Sequence, residues 1–199
     1  MPVSIVRKNW TFHILWSIKP DTTICSINKN IWGCEIMSAH MSLSVSVAVV
    51  GAIATYVSTG LIPDYYSVWI GFIAWAAFLA NNNCMKTTVQ SGVYGAVLAG
   101  IAFILMGKLG GQLGDMTAPV CVGLTVFALV WGTSLPMFTS ATTAVYTYAA
   151  TAGLTMMTPG ASGAFMNTDA SNPLVLVIVS IVLGCGFAMG ANKLNAAIS

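Results

Sequence analysis

The sequence predicts an all-α, polytopic integral membrane helix bundle, and three observations carry that expectation. Of the 199 residues, 57% are hydrophobic and only 6% charged, where a soluble domain carries charge at about a quarter of its positions. The apolar residues come as long runs, not as one face of an amphipathic pattern, and mean hydropathy is +0.84. Turn residues punctuate those runs at lengths that match a hydrocarbon core about 30 Å thick. The formal net charge is +2, and the scattered basic residues lack the electrostatic footprint of a nucleic-acid binder. The lipid bilayer is therefore the expected partner and nucleic acid is not.

Residues 1–36 differ from the rest. They hold Arg7, Lys8, Lys19, Lys29, Asp21 and Glu35 together with Trp10, Trp16 and Trp32, and no apolar stretch long enough to span a bilayer. Thr11 to Ile18 is interrupted by His13, ended by Lys19 and Pro20, and followed by no small-residue cleavage pattern, so it does not read as a signal peptide. Two readings remain for this segment: a disordered N-terminal extension, or a misassigned start. The second is favoured, because Met37 and Met41 both stand just before the first apolar run.

Residues 41–193 read as the transmembrane helical domain. Leu43 to Ile62 gives about 20 residues, enough for about 30 Å of helix, and Pro63 and Asp64 close it. Tyr66 to Ala80 is apolar all round but spans only about 15 residues, which calls for a short crossing or a re-entrant element covered by protein. Val89 to Met106 makes a third span. Gly107 to Asp115, rich in glycine, is expected to be a loop. Val120 to Leu135 and Thr139 to Met157 flank Pro136 and are together too long for one crossing, so they read as two. Gly160 to Asn172 is a polar loop, and Pro173, favoured in a helix's first turn, opens the last span, which runs to Ala191. Six transmembrane helices are expected, or five if residues 66–80 do not cross. With both termini cytoplasmic, Lys86 and Lys193 fall inside and Lys108 alone is misplaced.

Six spans as three plus three raise the question of an internal repeat. Ala99 to Gly107 and Leu183 to Gly190 look alike at the ends of the third and sixth spans. An odd number of spans per half makes such halves antiparallel, the 3+3 inverted repeat used by many transporters.

Absences decide the enzyme question at this level. From residue 41 onward there is no His, Glu or Arg, so a zinc-protease helix, a Ser-His-Asp triad and an arginine phosphate clamp are unavailable. Neither enzyme activity nor a cofactor or metal is expected. The five cysteines form no CxxC pair and are odd in number, which indicates thiols buried in helices. No ionisable residue lies inside a proposed span, which disfavours a proton-coupled pump. The remaining polar features are neutral. Asn81, Asn82 and Asn83 follow the short second span and lead to Thr88. In the fifth span Thr139, Thr143, Tyr146 and Ser140 fall on one face at spacings of three and four. Both sets are candidates for a narrow polar path, expected to meet at a water-filled vestibule, with a plain turn and a helix contact as the competing readings.

Packing signals are stronger. Gly51 with Thr55 and Thr59, Gly92 with Ala96 and Gly100, and Gly186 with Gly190 follow the small-xxx-small spacing that lets helices approach closely. They fit a compact bundle, a homo-oligomer or a membrane partner protein. Tyr65, Tyr66 and Trp69 fit an interfacial belt, whereas Trp75 sits too deep and reads as a packing residue.

The segments Trp69-Ile70-Gly71-Phe72 with Ala76-Ala77-Phe78, the small and hydroxyl-bearing stretch around Thr143, and Pro173-Leu174-Val175-Leu176 through Ser180, Leu183-Gly184, Phe187 and Ala188-Met189 carry a family resemblance. Over residues 41 to 195 the chain resembles the YcdZ-like family of small bacterial inner-membrane proteins of unknown function. The first 36 residues have no counterpart there. The resemblance implies a multi-pass protein of the bacterial cytoplasmic membrane and supplies no activity, substrate or site. Two functions remain: a channel or facilitator for a small neutral solute, or a structural or accessory protein that packs against a partner.

Overall fold

A computed structural model describes residues 29–167, 169 and 171–199, with side chains from His40 onward. The reading of residues 1–28 as part of an extension lies outside the described residues. Backbone contacts divide the chain into Met1–His40 and Met41–Ser199, and the second unit is described here. Among the described residues every regular element is helical. They are α1 (Lys29–Tyr56, running into a π-helical turn Val57–Leu61), α2 (Val68–Ala80), α3 (Met85–Leu113), α4 (Thr117–Gly132), α5 (Ala141–Met157) and α6 (Pro173–Ile198), with 3-10 turns at Gly114–Met116 and Ala161–Met166. Three helical stretches, His40–Leu61, Met85–Gly132 and Pro173–Ile198, are long and apolar enough to cross a membrane.

Local chemistry explains the boundaries. Asn172 caps α6 by accepting the Leu174 N–H at 2.9 Å, and Pro173 takes the first turn, where its missing N–H leaves no bond unmade. The loop expected at Gly107 to Asp115 is not formed, because α3 continues to Leu113. Each glycine there lowers helix propensity by about 1 kcal/mol relative to alanine, yet no proline removes a donor, and backbone groups next to lipid gain from staying paired. The break comes at Gly114, whose φ of +52° suits a residue without Cβ. Beyond it α4 folds back along α3. There the Tyr94 hydroxyl donates to the Ala128 carbonyl at 2.6 Å, and the Tyr94 ring stacks on Phe138 with centroids 4.3 Å apart.

The centre of the bundle consists of two parallel helix pairs. α2 lies along α6: the Ser67 N–H donates to Ser180 Oγ at 2.9 Å near one end, and Asn192 donates to Asn83 at 3.1 Å near the other. α5 lies along α3, where the Ser140 N–H donates to Ser91 Oγ at 3.2 Å. One turn beyond each serine a glycine brings the backbones together. A Cβ built at Gly95 would strike the Ala144 carbonyl, and one built at Gly184 would strike the backbone of Gly71. The tight stripes are thus Ser91, Gly95 and Ala99 on α3 and Ser180, Gly184 and Ala188 on α6, all buried.

Gly186 and Gly190 take no part in close packing within the chain. A Cβ at either meets no atom within 4 Å, because two and six residues beyond Gly184 are about 200° and about 240° around the helix. Elsewhere Gly92 faces Ile181 and Thr147, Gly100 faces Phe165 and Leu174, and Gly51 faces Phe72, while Ala96 is fully buried. Trp69 and Trp131 project outward, Trp75 packs inside, and Tyr66, expected at the interface, is buried instead with its ring 5.9 Å from that of Phe187.

Candidate functional site

The polar residues of the interior converge where α2 ends. The turn to α3 is made by Asn82 and Asn83 at φ +54° and +61°, a left-handed conformation in which asparagine is among the residues most often found. This turns Asn81 inward. Its amide donates to Thr88 Oγ1 at 3.0 Å and to Thr143 Oγ1 at 2.9 Å, which uses both of its N–H groups. Thr143 shares a second bond with Ser140 Oγ at 2.7 Å, and Ser140 also caps α5 by accepting the Thr143 N–H. Thr88 donates to the Cys84 carbonyl at 3.0 Å. Asn81, Thr88, Ser91, Ser140 and Thr143 therefore tie α2, α3 and α5 together.

The inner part of the cluster is buried. Thr88 and Ser91 are fully buried and Thr143 is 1% exposed. Among the described residues no buried side-chain nitrogen or oxygen lacks a hydrogen-bond partner. At the place where a water-filled vestibule is expected, the amide and hydroxyl groups satisfy one another, with Asn81 and Ser140 half-buried at the edge.

From Thr143 a ladder of buried threonines follows α5. The Thr147 hydroxyl donates to the Thr143 carbonyl at 3.0 Å, Thr151 to Thr147 at 2.7 Å and Thr155 to Thr151 at 2.7 Å. Each side chain answers its own donor within the helix and keeps an oxygen lone pair in the interior. At the far end of α5 lies a cavity of about 590 Å³, lined among others by Asp64, Leu154, Thr158, Asn167, Ser171 and Leu176.

Of the residues singled out in the sequence, Asn81, Thr143 and Ser140 meet in the cluster. Asn82, Asn83 and Thr139 lie at the surface. Tyr146 is separated from the others: it is 49% exposed and lines a shallow apolar groove with Ile73, Ala76, Ala149 and Ala150. Thr139 precedes the first turn of α5, so helical spacing does not apply to it, and Tyr146 sits three residues from Thr143 where the buried face steps by four. Ser91 and the continuation through Thr147, Thr151 and Thr155 were missed as a single face. The signal for them was the unbroken interval of four from Thr143.

Among the described residues no group of three His, Cys, Asp or Glu stands close enough to hold a metal. Cys121 and Cys185 are buried, but Cys84 is exposed in the α2–α3 turn, contrary to the expectation of buried thiols. The Thr87 hydroxyl donates to its sulfur at 3.3 Å, which holds the thiol below its ordinary pKa.

The architecture belongs with the apolar helices: several stretches fit a membrane crossing, and the interior is neutral. No curated protein and no solved structure matches the chain. The sequence profile of one family matches residues 44–196, and on that match the chain belongs to the DUF1097 family of proteins of unknown function.

Proposed function

We propose that the chain crosses the bacterial cytoplasmic membrane six times, as a 3+3 inverted repeat, and acts as a facilitator for a small neutral solute and not as an enzyme. Helices α2, α4 and α5 have 13, 16 and 17 residues, or roughly 20–26 Å each at the helical rise. They become crossings only with their flanking turns and a locally thin bilayer. The exchange of partners supports the repeat, since α2 packs on α6 as α5 packs on α3. Ser67–Ser180 and Ser140–Ser91 make the same bond in both pairs. The inner-membrane location rests on the resemblance to YcdZ-like proteins.

One observation carries the facilitator reading: the threonine ladder runs along α5 between the end that borders the cavity, whose lining carries Asp64 as its one charged side chain, and the polar cluster at the other end. No buried charge lies along it, which suits a solute without charge. The full chain, reconstituted into liposomes, should speed osmotic swelling in small polyols or amides above protein-free vesicles. Swelling at the protein-free rate for all such solutes would remove this reading. Orientation is checked by Cys84 with Cys25 and Cys34 replaced by serine: an impermeant thiol reagent should reach it from the cytoplasmic side alone.

The accessory role has one observation in its favour. Gly186 and Gly190 leave open space on the outer face of α6, where a helix of a second copy or a partner would approach closely.

A further inference from the structure

The two helix pairs align residue by residue, and the alignment assigns a counterpart to the polar cluster. Ser67 and Ser140 stand at the N-terminal caps of α2 and α5, and each donates its N–H to a serine of the other helix of its own pair, Ser180 and Ser91. Four residues beyond those acceptors stand Gly184 and Gly95, each against the backbone of the residue four beyond the cap, Gly71 and Ala144. Two independent fixed points thus set the register. Three residues beyond the caps are Ile70 and Thr143, and fourteen beyond are Asn81 and Leu154. Three before the acceptor serines are Thr88 and Val177.

The residues of the polar cluster, Asn81, Thr88 and Thr143, therefore correspond to Leu154, Val177 and Ile70. The latter three pack together at the opposite end of the bundle: Ile70 and Val177 belong to one buried cluster, and Leu154 packs against it. Leu154 also lines the cavity of about 590 Å³, so the aliphatic cluster meets the cavity at that side chain.

The geometry points to two closures of one path, equal in position and opposite in wetting: an amide–hydroxyl closure at Asn81, Thr88 and Thr143, and an aliphatic closure at Ile70, Leu154 and Val177. This rests on the facilitator reading. Parting the first exchanges hydrogen bonds between side chains for bonds to water, a nearly balanced trade. Parting the second exposes apolar surface to water, which is opposed in proportion to its area, so that end stays dry until an amphipathic solute covers it. The solute class that satisfies both ends is small, neutral and partly apolar, with at least one hydroxyl or amide to exchange at the polar closure.

The test uses full-length protein in proteoliposomes, with all five native cysteines replaced by serine or alanine, and Thr143→Cys and Ile70→Cys introduced singly. Thr143→Cys should react with an impermeant thiol reagent about tenfold faster than Ile70→Cys, since only the polar closure opens readily to water. Adding Leu154→Asn should raise the Ile70→Cys rate toward the other. Adding Asn81→Leu with Thr88→Val should lower the Thr143→Cys rate, and this second arm decides the matter if Leu154→Asn fails to give a monodisperse protein. Equal rates at the two sites, or rates unmoved by the exchanges, overturn the inference. Solute swelling of the unsubstituted chain separates the outcomes. Unequal labelling without swelling removes transport and keeps the closures; swelling with equal labelling does the reverse.

Discussion

The pairs α2–α6 and α5–α3 share one frame and fill it differently. On α2 the inward positions hold Ile70, Ala74, Trp75 and Phe78; the matching positions of α5 hold Thr143, Thr147, Tyr148 and Thr151. Phe78 is 1% exposed and Thr151 fully buried, so the substitution of hydroxyl for aromatic leaves burial unchanged. The difference teaches that serine and glycine at the crossings fix the backbone separation, and the polarity of the interior is then free to diverge. Threonine tolerates this burial because its hydroxyl bonds to the carbonyl one turn earlier. The connections diverge as well: Asn81–Cys84 joins α2 to α3 tightly, whereas the longer segment from Thr158 to Asn172 includes a 3-10 turn that packs Phe165 against Gly100.

The largest expected effect tests the shared frame. Gly95→Leu and Gly184→Leu each drive a side chain into the backbone of the neighbouring helix, and overpacking of this kind destabilises by about 3 kcal/mol. Thermal unfolding in detergent should show both variants losing stability alike. A large loss in one and none in the other would break the equivalence of the pairs.

The next effect belongs to the polar end alone. Thr143→Val removes the acceptor of one N–H of the half-buried Asn81 amide, a loss of about 1 kcal/mol, at the low end for a stranded donor. Asn81→Leu together with Thr143→Val should lose less than the sum of the two singles, since the second change removes the group that the first had stranded. Additive losses would mean that the two side chains do not depend on each other. At the aliphatic end Ile70→Val, which removes one methylene, should fall in the range of about 0.5–1.5 kcal/mol.

Much of this was legible in the sequence and some of it was not, for physical reasons. The apolar runs gave the helices, because backbone groups in lipid have few alternatives to the helix. The convergence of Asn81 with the fifth span was visible as well, since unpaired amides and hydroxyls must find partners there. The register of the glycines was not. Gly184, Gly186 and Gly190 differ only in azimuth, and an all-apolar helix carries no polar face to reveal which side is inward. The same ambiguity bears on the proposed repeat: the sequence sets Ala99 to Gly107 against Leu183 to Gly190, whereas the proposed correspondence sets Ser91, Gly95 and Ala99 against Ser180, Gly184 and Ala188, which make like contacts in the two pairs. The continuation of α3 through Gly107 to Leu113 was hidden because glycine propensity is a local term and helix extension a cooperative one.

Within the threonine ladder the effects should be smaller still. Thr151→Val and Thr155→Val keep the side chain's shape and remove a hydroxyl bonded only to its own helix. Hydroxyl bonds of this kind between or within membrane helices contribute about 1 kcal/mol or less. Unfolding should therefore change little, while solute swelling, if the ladder lines the path, should fall. Loss of swelling without loss of stability separates a path from a packing face, and the aromatic and aliphatic side chains of α2 offer no equivalent test.

The smallest effect concerns the two glycines that lie off the frame. Gly186→Ala and Gly190→Ala place a methyl group in open space, so the folded chain should lose no stability, in contrast to the Leu variants of Gly95 and Gly184. Their value lies in what happens between molecules. If α6 meets a helix of a second copy through this face, each added methyl widens that contact, and chemical cross-linking in the membrane should show a reduced dimer at unchanged thermal stability. An unchanged cross-linking pattern would mean that the face meets lipid, and the exposed side of α6 would then differ from its buried side only in having nothing to pack against.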